Sequence, residues 1–434
     1  MTPSNILHGL YLRFFSKETP RQTGMLFSAQ TASMFAGFFA SIIQGRCMEP
    51  GEMGRFAFCL TIIVVISLVF EFGISSAGAR VLALAGDRGG ERQALGALVL
   101  MTLAISLAFA VFIVAAAKPI DLIFHKDVRW LFTATAALAF FQPFQLFIEQ
   151  SCTGLNQIRR LSIFQLTVSG SSLLALLVLA ATHRLTAGTA LGAYLAGIGV
   201  ASIWTLIRMQ PNFKGASRYI KLTLKETRGY GLNLYLARIS GMASSRTDQL
   251  AIGYFLRGTA PLGTYAIAQK FSNPIAMMGR SLATTRFRAF ARLTRVPERI
   301  TRWNAAAVIS ASIALVVLGP IVLRFVFPKY SEAVPLLVPF AAMNLFVGLF
   351  QPYNIFLASH GRGAELRNIV LISGAATIAA LVIAVPRFGI AGAAWTGAGA
   401  MALDYILHLL YYRRFRRTLE DANPAKPDEH SRRR

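Results

Sequence analysis

The sequence predicts an all-α polytopic membrane protein, with twelve transmembrane helices in two pseudo-symmetric six-helix lobes. Three observations carry this. The 434 residues are 55% hydrophobic and 15% charged, with a mean hydropathy of +0.53, less charge than a soluble chain of this size holds. Apolar runs of about 20 residues, enough to cross a bilayer, recur along the whole length. The two halves also echo one another.

In chain order the spans are expected at 22–43, 56–79, 94–117, 130–151, 161–181, 187–208, 230–255, 262–285, 305–327, 333–357, 367–385 and 389–411. No stretch between them reads as a soluble domain. The opening residues mix Arg13, Lys17, Glu18 and Arg21, which is not the pattern of a cleavable signal peptide. Ile6–Phe15 is expected to lie on the membrane interface as a short amphipathic helix. The organisation is then an N-terminal lobe at 1–209, a basic cytoplasmic linker at 210–229, a C-terminal lobe at 230–412 and a disordered basic tail at 413–434.

The formal net charge is +25, which invites a nucleic-acid reading. The distribution of charge argues against it. Twelve spans put both termini on one side, and most of the 44 lysines and arginines fall there. They lie in the 208–229 segment, in Arg286, Arg288, Arg292, Arg295, Arg299 and Arg302, and in Arg413, Arg414, Arg416 and Arg417. The other side holds few, among them Arg46, Lys126, Arg184 and Lys329. The positive-inside rule places both termini in the cytoplasm. The basic loops are topological, with affinity for anionic membrane lipids, and no nucleic-acid partner is expected.

Cys47, Cys59 and Cys152 have no CxxC spacing and read as small buried apolar residues. Gly86–Arg92, GDRGGER, lacks the GK[ST] of a phosphate loop and reads as a cytoplasmic turn. With no Ser/His/Asp arrangement and no metal cluster, neither an enzyme nor a cofactor is expected. Energy would come from a proton or sodium gradient, the substrate gradient or a partner.

The internal echo has two parts. Met53-Gly54-Arg55-Phe56-Ala57 matches Leu262-Gly263-Thr264-Tyr265-Ala266, an offset of 209, in what read as the loops after spans one and seven. Ala187-Gly188-Thr189-Ala190 matches Ala391-Gly392-Ala393-Ala394, an offset of 204. Two echoes at nearly one offset indicate duplication. Halves of six spans insert the same way up, related by an axis along the membrane normal, with a site expected near mid-membrane between them.

The charges inside spans point to that site. At 100° per residue, Arg238, Ser245 and Gln249 share one arc of span seven, flanked by Arg246 and Asp248, with Leu232, Leu236, Ile239 and Tyr254 opposite. Span eight carries a stripe of Lys270, Asn273, Met277, Arg280 and Ser281, with Pro274 beside Asn273. Span one has an uncharged version, Gln30, Ser33, Ser41 and Gln44, ending near Arg46, and span two contributes Glu71. One reading is glue between helices. The other is a cationic lumen for an anion, because the set holds four cations against the central acids Asp248 and Glu71. In that reading Arg238, Arg246, Lys270, Arg280, Asn273, Gln30, Gln44 and Arg46 face substrate, while Asp248 and Glu71 balance charge or carry a coupling proton. Glu149, Arg324, Asp404 and His408 are expected to snorkel or pair locally, with a proton-coupling role open for Asp404.

Two longer stretches carry a family resemblance. Gln44 to Arg80, QGRCMEPGEMGRFAFCLTIIVVISLVFEFGISSAGAR, resembles the first-loop and second-span pattern of bacterial polysaccharide transporters, the lipid-linked oligosaccharide flippases of O-antigen and exopolysaccharide assembly. Tyr230 to Lys270 resembles their seventh-span region, with its Arg246-x-Asp248 pair, and Phe388 to Ala400 resembles the start of their last span. One departure is TRFRAF near the end of span eight, where the family often has a proline. The resemblance implies a two-lobed, V-shaped bundle working by alternating access in the inner membrane. It implies an undecaprenyl-pyrophosphate-linked oligosaccharide as substrate, and polymerase and chain-length components as partners. Arg238, Arg246, Lys270 and Arg280 would receive the pyrophosphate. Three other functions compete. A multidrug or cation antiporter of the same superfamily favours acidic lumen residues. A peptidoglycan-precursor flippase usually has extra spans. A polysaccharide polymerase or ligase needs a large outer loop with catalytic residues.

Overall fold

The structure is a computed structural model that describes residues 18–284, 290 and 293–421. The expected interfacial helix at Ile6–Phe15, Arg286, Arg288 and Arg292, and residues 422–434 lie outside the described residues. Among the described residues there are helices and turns and no strand.

The chain divides into two compact units. The N-terminal unit holds residues up to Ile239 together with Gly258–Ala260, and the C-terminal unit holds Ser240–Arg257 and the chain from Pro261 onward.

The N-terminal unit begins with α1 (Glu18–Cys47), α2 (Pro50–Val69) and α3 (Ile74–Ala83). Pro50 opens α2, where a missing N–H costs nothing. The expected span 56–79 is therefore not one helix. It breaks at 70–73, where Phe72 and Gly73 take positive φ of 48° and 79°. Irregular backbone at membrane depth needs internal partners, and Glu71 supplies them. Its carboxylate accepts from the Gly73 N–H at 3.1 Å and the Ser75 N–H at 2.7 Å.

Next come α4 (Arg88–Phe124), α5 (Arg129–Ala139), α6 (Gln142–Gly154), α7 (Ile158–Ala181) and α8 (Ala187–Met209). Asp87 caps α4 by accepting from the Gly90 N–H. The expected span 130–151 is interrupted between α5 and α6, just before Pro143 in the first turn of α6. Thr186 and Thr189 form a reciprocal capping box that starts α8. Leu95, Leu98, Phe144, Phe147, Ile148, Phe164 and Ile198 interlock as the core of these helices. α1 packs against α7.

Residues 210–229 belong wholly to this unit and are not a bare linker. The Asn212 N–H donates to the Arg92 carbonyl at 2.8 Å, an approach that a Cβ on Gly96 would block by meeting the Asn212 carbonyl. α9 (Ala216–Glu226) packs on α3 and α4. Arg80 pairs with Glu226 at 3.4 Å and lies over the Tyr230 ring.

A π-helical turn, Thr227–Gly231, leads into α10 (Leu232–Phe255), whose residues after Ile239 belong to the C-terminal unit. That unit continues with α11 (Ala260–Thr284), α12 (Glu298–Val326), a 3₁₀ segment (Pro328–Leu336), α13 (Leu337–Ser359) and α14 (Gly363–Asp421). α14 is two arms joined at Gly389, which takes φ 60° and ψ −140° three residues after Pro386. The arms correspond to the spans expected at 367–385 and 389–411. The second arm runs on through 413–421, so that part of the expected disordered tail is helical. The Asn304 amide donates to the Gly348 carbonyl between α12 and α13 at 2.8 Å. The Val296 N–H donates to the Tyr412 hydroxyl at 3.1 Å, inside a cluster with Phe290 and Phe356.

Eight helical segments among the described residues are long and apolar enough to cross a membrane, and the last of them holds both arms of α14. α1, α10 and α11 complete the twelve. Their length is sufficient, but polar residues interrupt their apolar composition. Leu107, Val111, Val317, Phe325 and Ile383 stand exposed on the long helices, as lipid-facing residues must. The first echo lies inside the opening turns of α2 and α11, not in loops. The second lies at the start of α8 and just past the Gly389 break. Cys59 and Cys152 are buried as expected, whereas Cys47, the last residue of α1, is exposed.

Candidate functional site

In the C-terminal unit the last half of α10 faces the first half of α11 through polar side chains. The Tyr265 hydroxyl donates to Asp248 Oδ2 at 2.6 Å. Gln269, one turn further along α11, reaches the same oxygen at 3.4 Å and accepts from the Gln249 amide at 2.8 Å. Asp248 Oδ1 accepts from the Gln249 N–H at 2.7 Å. Tyr265 is fully buried, its ring 5.1 Å from that of Phe340, and a buried phenol needs a partner for its O–H. Arg246 lies close enough to Asp248 and to Lys270 to interact electrostatically with each. Among the described residues Arg246 forms no ion pair.

Three of the expected site residues, Arg246, Asp248 and Lys270, are thus brought together in one unit. Asn273 follows on α11 and is exposed. The side chain of Arg280 lies outside the described residues. Sequence reasoning placed Asp248 among the lumen charges and missed Tyr265 and Gln269. Their i, i+4 spacing on α11 was the available signal.

The remaining expected residues are elsewhere. Arg238 belongs to the N-terminal unit. Its Nη1 is buried without a hydrogen-bond partner, and it interacts electrostatically with Glu149 on α6. Glu149 also accepts from Gln145 at 3.4 Å, and Gln145 is bonded to Gln142. On α1, Gln30 and Arg46 are exposed and Gln44 is buried. Glu71 has both oxygens on backbone N–H groups and acts as the cap of α3. Asp404, on the second arm of α14, lies near Ser373, and its Oδ1 is buried without a hydrogen-bond partner. One turn on, His408 bonds the Asp404 carbonyl and stacks on Phe350.

Residues 20–278 match the family model described as polysaccharide biosynthesis protein. The chain belongs to that family. Within the polysaccharide biosynthesis protein family match lie α1 to most of α11, including Arg238, Arg246, Asp248 and Lys270; Arg280 and Asp404 fall beyond it. No curated protein sequence matches the chain. Solved structures share its fold. One is an inward-facing multidrug resistance MATE family transporter of the MOP superfamily, with a TM-score of 0.73 at 13% identity over 90% of this chain and 96% of that one. Another is the lipid II flippase MurJ in an inward closed conformation, 0.68 at 12% over 93% of both. A third is the MATE multidrug transporter DinF-BH, 0.61 at 14% over 90% and 95%. The chain is a multi-pass polysaccharide biosynthesis protein with the fold of MOP-superfamily exporters.

Proposed function

We propose that this protein is a flippase that moves undecaprenyl-pyrophosphate-linked oligosaccharide repeat units across the bacterial inner membrane, for O-antigen or exopolysaccharide assembly. Both termini lie in the cytoplasm, as the distribution of lysine and arginine requires. The observation that carries the reading is the state of Arg246. It sits beside Asp248 and Lys270, yet Asp248 directs both oxygens to Tyr265, Gln269 and the Gln249 backbone and not into an ion pair. A cation in a membrane helix that forms no ion pair among the described residues suits an anionic substrate group.

A pyrophosphate diester carries about two negative charges, and charge-assisted bonds to guanidinium and ammonium are the strong ones. Arg246 and Lys270 bind it, with Arg238 and Arg280 contributing along the route. The prenyl tail remains in lipid, and a polymerase receives the flipped unit. An exporter of cationic drugs needs the opposite sign of surface.

The test replaces Arg246 with Gln and with Lys, and Lys270 with Gln, in the producing strain at matched protein levels. Surface polymer and cytoplasmic-face lipid-linked intermediate are then measured. Loss of polymer with accumulation of intermediate, partly restored by Arg246→Lys, is the expected result. Normal export in the double neutral variant R246Q/K270Q overturns the reading.

A further inference from the structure

The N-terminal unit holds a second cationic site that the flippase reading does not use. Spans two, four and six all end on one side of this unit. Their connections therefore converge: the GDRGGER turn into α4, the turn from α6 to α7, and the end of α8. Between them lies a cavity of about 500 Å³. Arg88 and Arg92 enter it from α4, Arg160 from α7 and Arg208 from α8, against a single acid, Glu91.

The way these arginines are held matters more than their number. Arg160 Nη1 donates to Gln157 Oε1 at 2.7 Å, and Arg92 Nη2 donates to Gln210 Oε1. Both glutamines line the cavity. A neutral amide oxygen orients a guanidinium without cancelling its charge, and leaves most of its five donors free. The Arg208 guanidinium lies 5.7 Å from the centre of the Trp204 ring, over its face, another partner that leaves the charge intact. Among the described residues none of the four forms an ion pair with a carboxylate. The N-terminus of the 37-residue helix α4 opens at the same place and is capped by the Asp87 carboxylate, so the positive field there comes from the arginines.

We infer that this cavity binds a phosphate-bearing anion: a phosphate diester or pyrophosphate group, with room for the glycerol or sugar attached to it. The volume lies in the range of ligand pockets and is more than a lone phosphate fills. Arginine forks match phosphate oxygens two at a time. Basic pockets between membrane helices on the cytoplasmic side take lipid headgroups in this way. The same chemistry fits a soluble pyrophosphate, so the experiment separates the two sources.

The full chain in neutral detergent is titrated with inorganic pyrophosphate, and separately with phosphatidylglycerol against phosphatidylcholine. Binding and thermal stability are both followed. R92Q/R160Q weakens binding at least tenfold, R92K/R160K restores part of it, and added salt weakens it with these arginines intact. An effect confined to pyrophosphate assigns a soluble ligand, and one confined to phosphatidylglycerol assigns a lipid headgroup. Binding of neither probe, or binding that R92Q/R160Q leaves unchanged, overturns the inference. If R92Q/R160Q fails to fold, Arg208→Gln replaces it, since Arg208 makes no bond to either glutamine. The titration is made in the R246Q/K270Q background, which removes the pyrophosphate site proposed on α10 and α11, so the binding read belongs to this cavity and its failure leaves the flippase reading standing.

Discussion

Tyr265 donates its hydroxyl to Asp248 at 2.6 Å, and the pair locks α10 to α11 inside the C-terminal unit. The carboxylate has other partners, but the 3.4 Å contact to Gln269 is long, which makes the phenol its principal side-chain donor. Tyr265→Phe leaves a buried carboxylate short of a donor and is expected to cost about 1–3 kcal/mol. Asp248→Asn costs less, because the amide oxygen still accepts from Tyr265. The double variant is less destabilised than the sum of the two, with a coupling of about 0.5–3 kcal/mol. Thermal unfolding of the four proteins in detergent closes this cycle. Strict additivity would show that the contact contributes nothing.

Glu71 separates a structural acid from a transporting one. Its two oxygens receive the N–H groups of Gly73 and Ser75 where the second span breaks. Glu71→Ala exposes both donors at membrane depth, at a cost of about 1–2 kcal/mol for a lost cap, and the yield of folded protein falls. Glu71→Gln retains one acceptor. Polymer exported per folded molecule is expected to match wild type in Glu71→Gln. A normal yield of Glu71→Gln protein with export abolished would return Glu71 to a coupling role.

The fold was legible because the bilayer enforces it. The expected spans became helices, but 56–79 breaks at 70–73 and 130–151 breaks between α5 and α6. At the first break a side chain, Glu71, satisfies the backbone. In sequence it is an acid in an apolar stretch, which resembles a lumen charge as closely as a cap. Only the positive φ of Phe72 and Gly73 separates the two, and neither residue announces it. The site was half legible. Arg246, Asp248 and Lys270 stood out by charge, and the structure groups them. Tyr265 looked like part of a repeated turn, and its partnership with Asp248 depends on the register between two helices, which periodicity along one helix does not encode. The phosphate cavity was missed for a related reason. Arg88, Arg92, Arg160 and Arg208 lie far apart in the chain and read as separate topological charges until three turns bring them together.

Gly73 and Gly231 cross backbone to backbone in the N-terminal unit. A Cβ on Gly73 would stand 2.5 Å from the Gly231 carbonyl oxygen, and one on Gly231 would stand 2.6 Å from that of Gly73. The obstacle is backbone in both directions, so no side chain can rotate away. Gly73→Ala also carries the strain of φ 79°. Each alanine variant is expected to lose about 1–3 kcal/mol or more, seen as lost monodisperse protein. Gly37→Ala on α1 meets no atom within 4 Å and is expected to behave as wild type. A well-folded Gly231→Ala would mean that α3 and the turn before α10 are free to separate.

Lys126 gives the fold a pH dependence of unusual sign. It sits in the turn between α4 and α5, outside the spans, where its Nζ donates to the Gly258 carbonyl at 2.7 Å. Burial pushes its ammonium below the usual lysine value of 10.5, because desolvation penalises the charged form. The unfolded chain therefore binds this proton more tightly than the folded one. Between the lowered value and 10.5 unfolding takes up a proton, so stability rises with pH across that window and is flat below it. Above the window the neutral amine still donates to Gly258, so the bond survives deprotonation. Lys126→Met removes both the titration and the bond. Apparent melting temperatures of the two proteins, compared from about pH 7 to about pH 10, are expected to diverge in favour of the wild type as pH rises. A difference that stays constant would place the Lys126 ammonium in water, and one that shrinks would give it a carboxylate partner that raises its pKa.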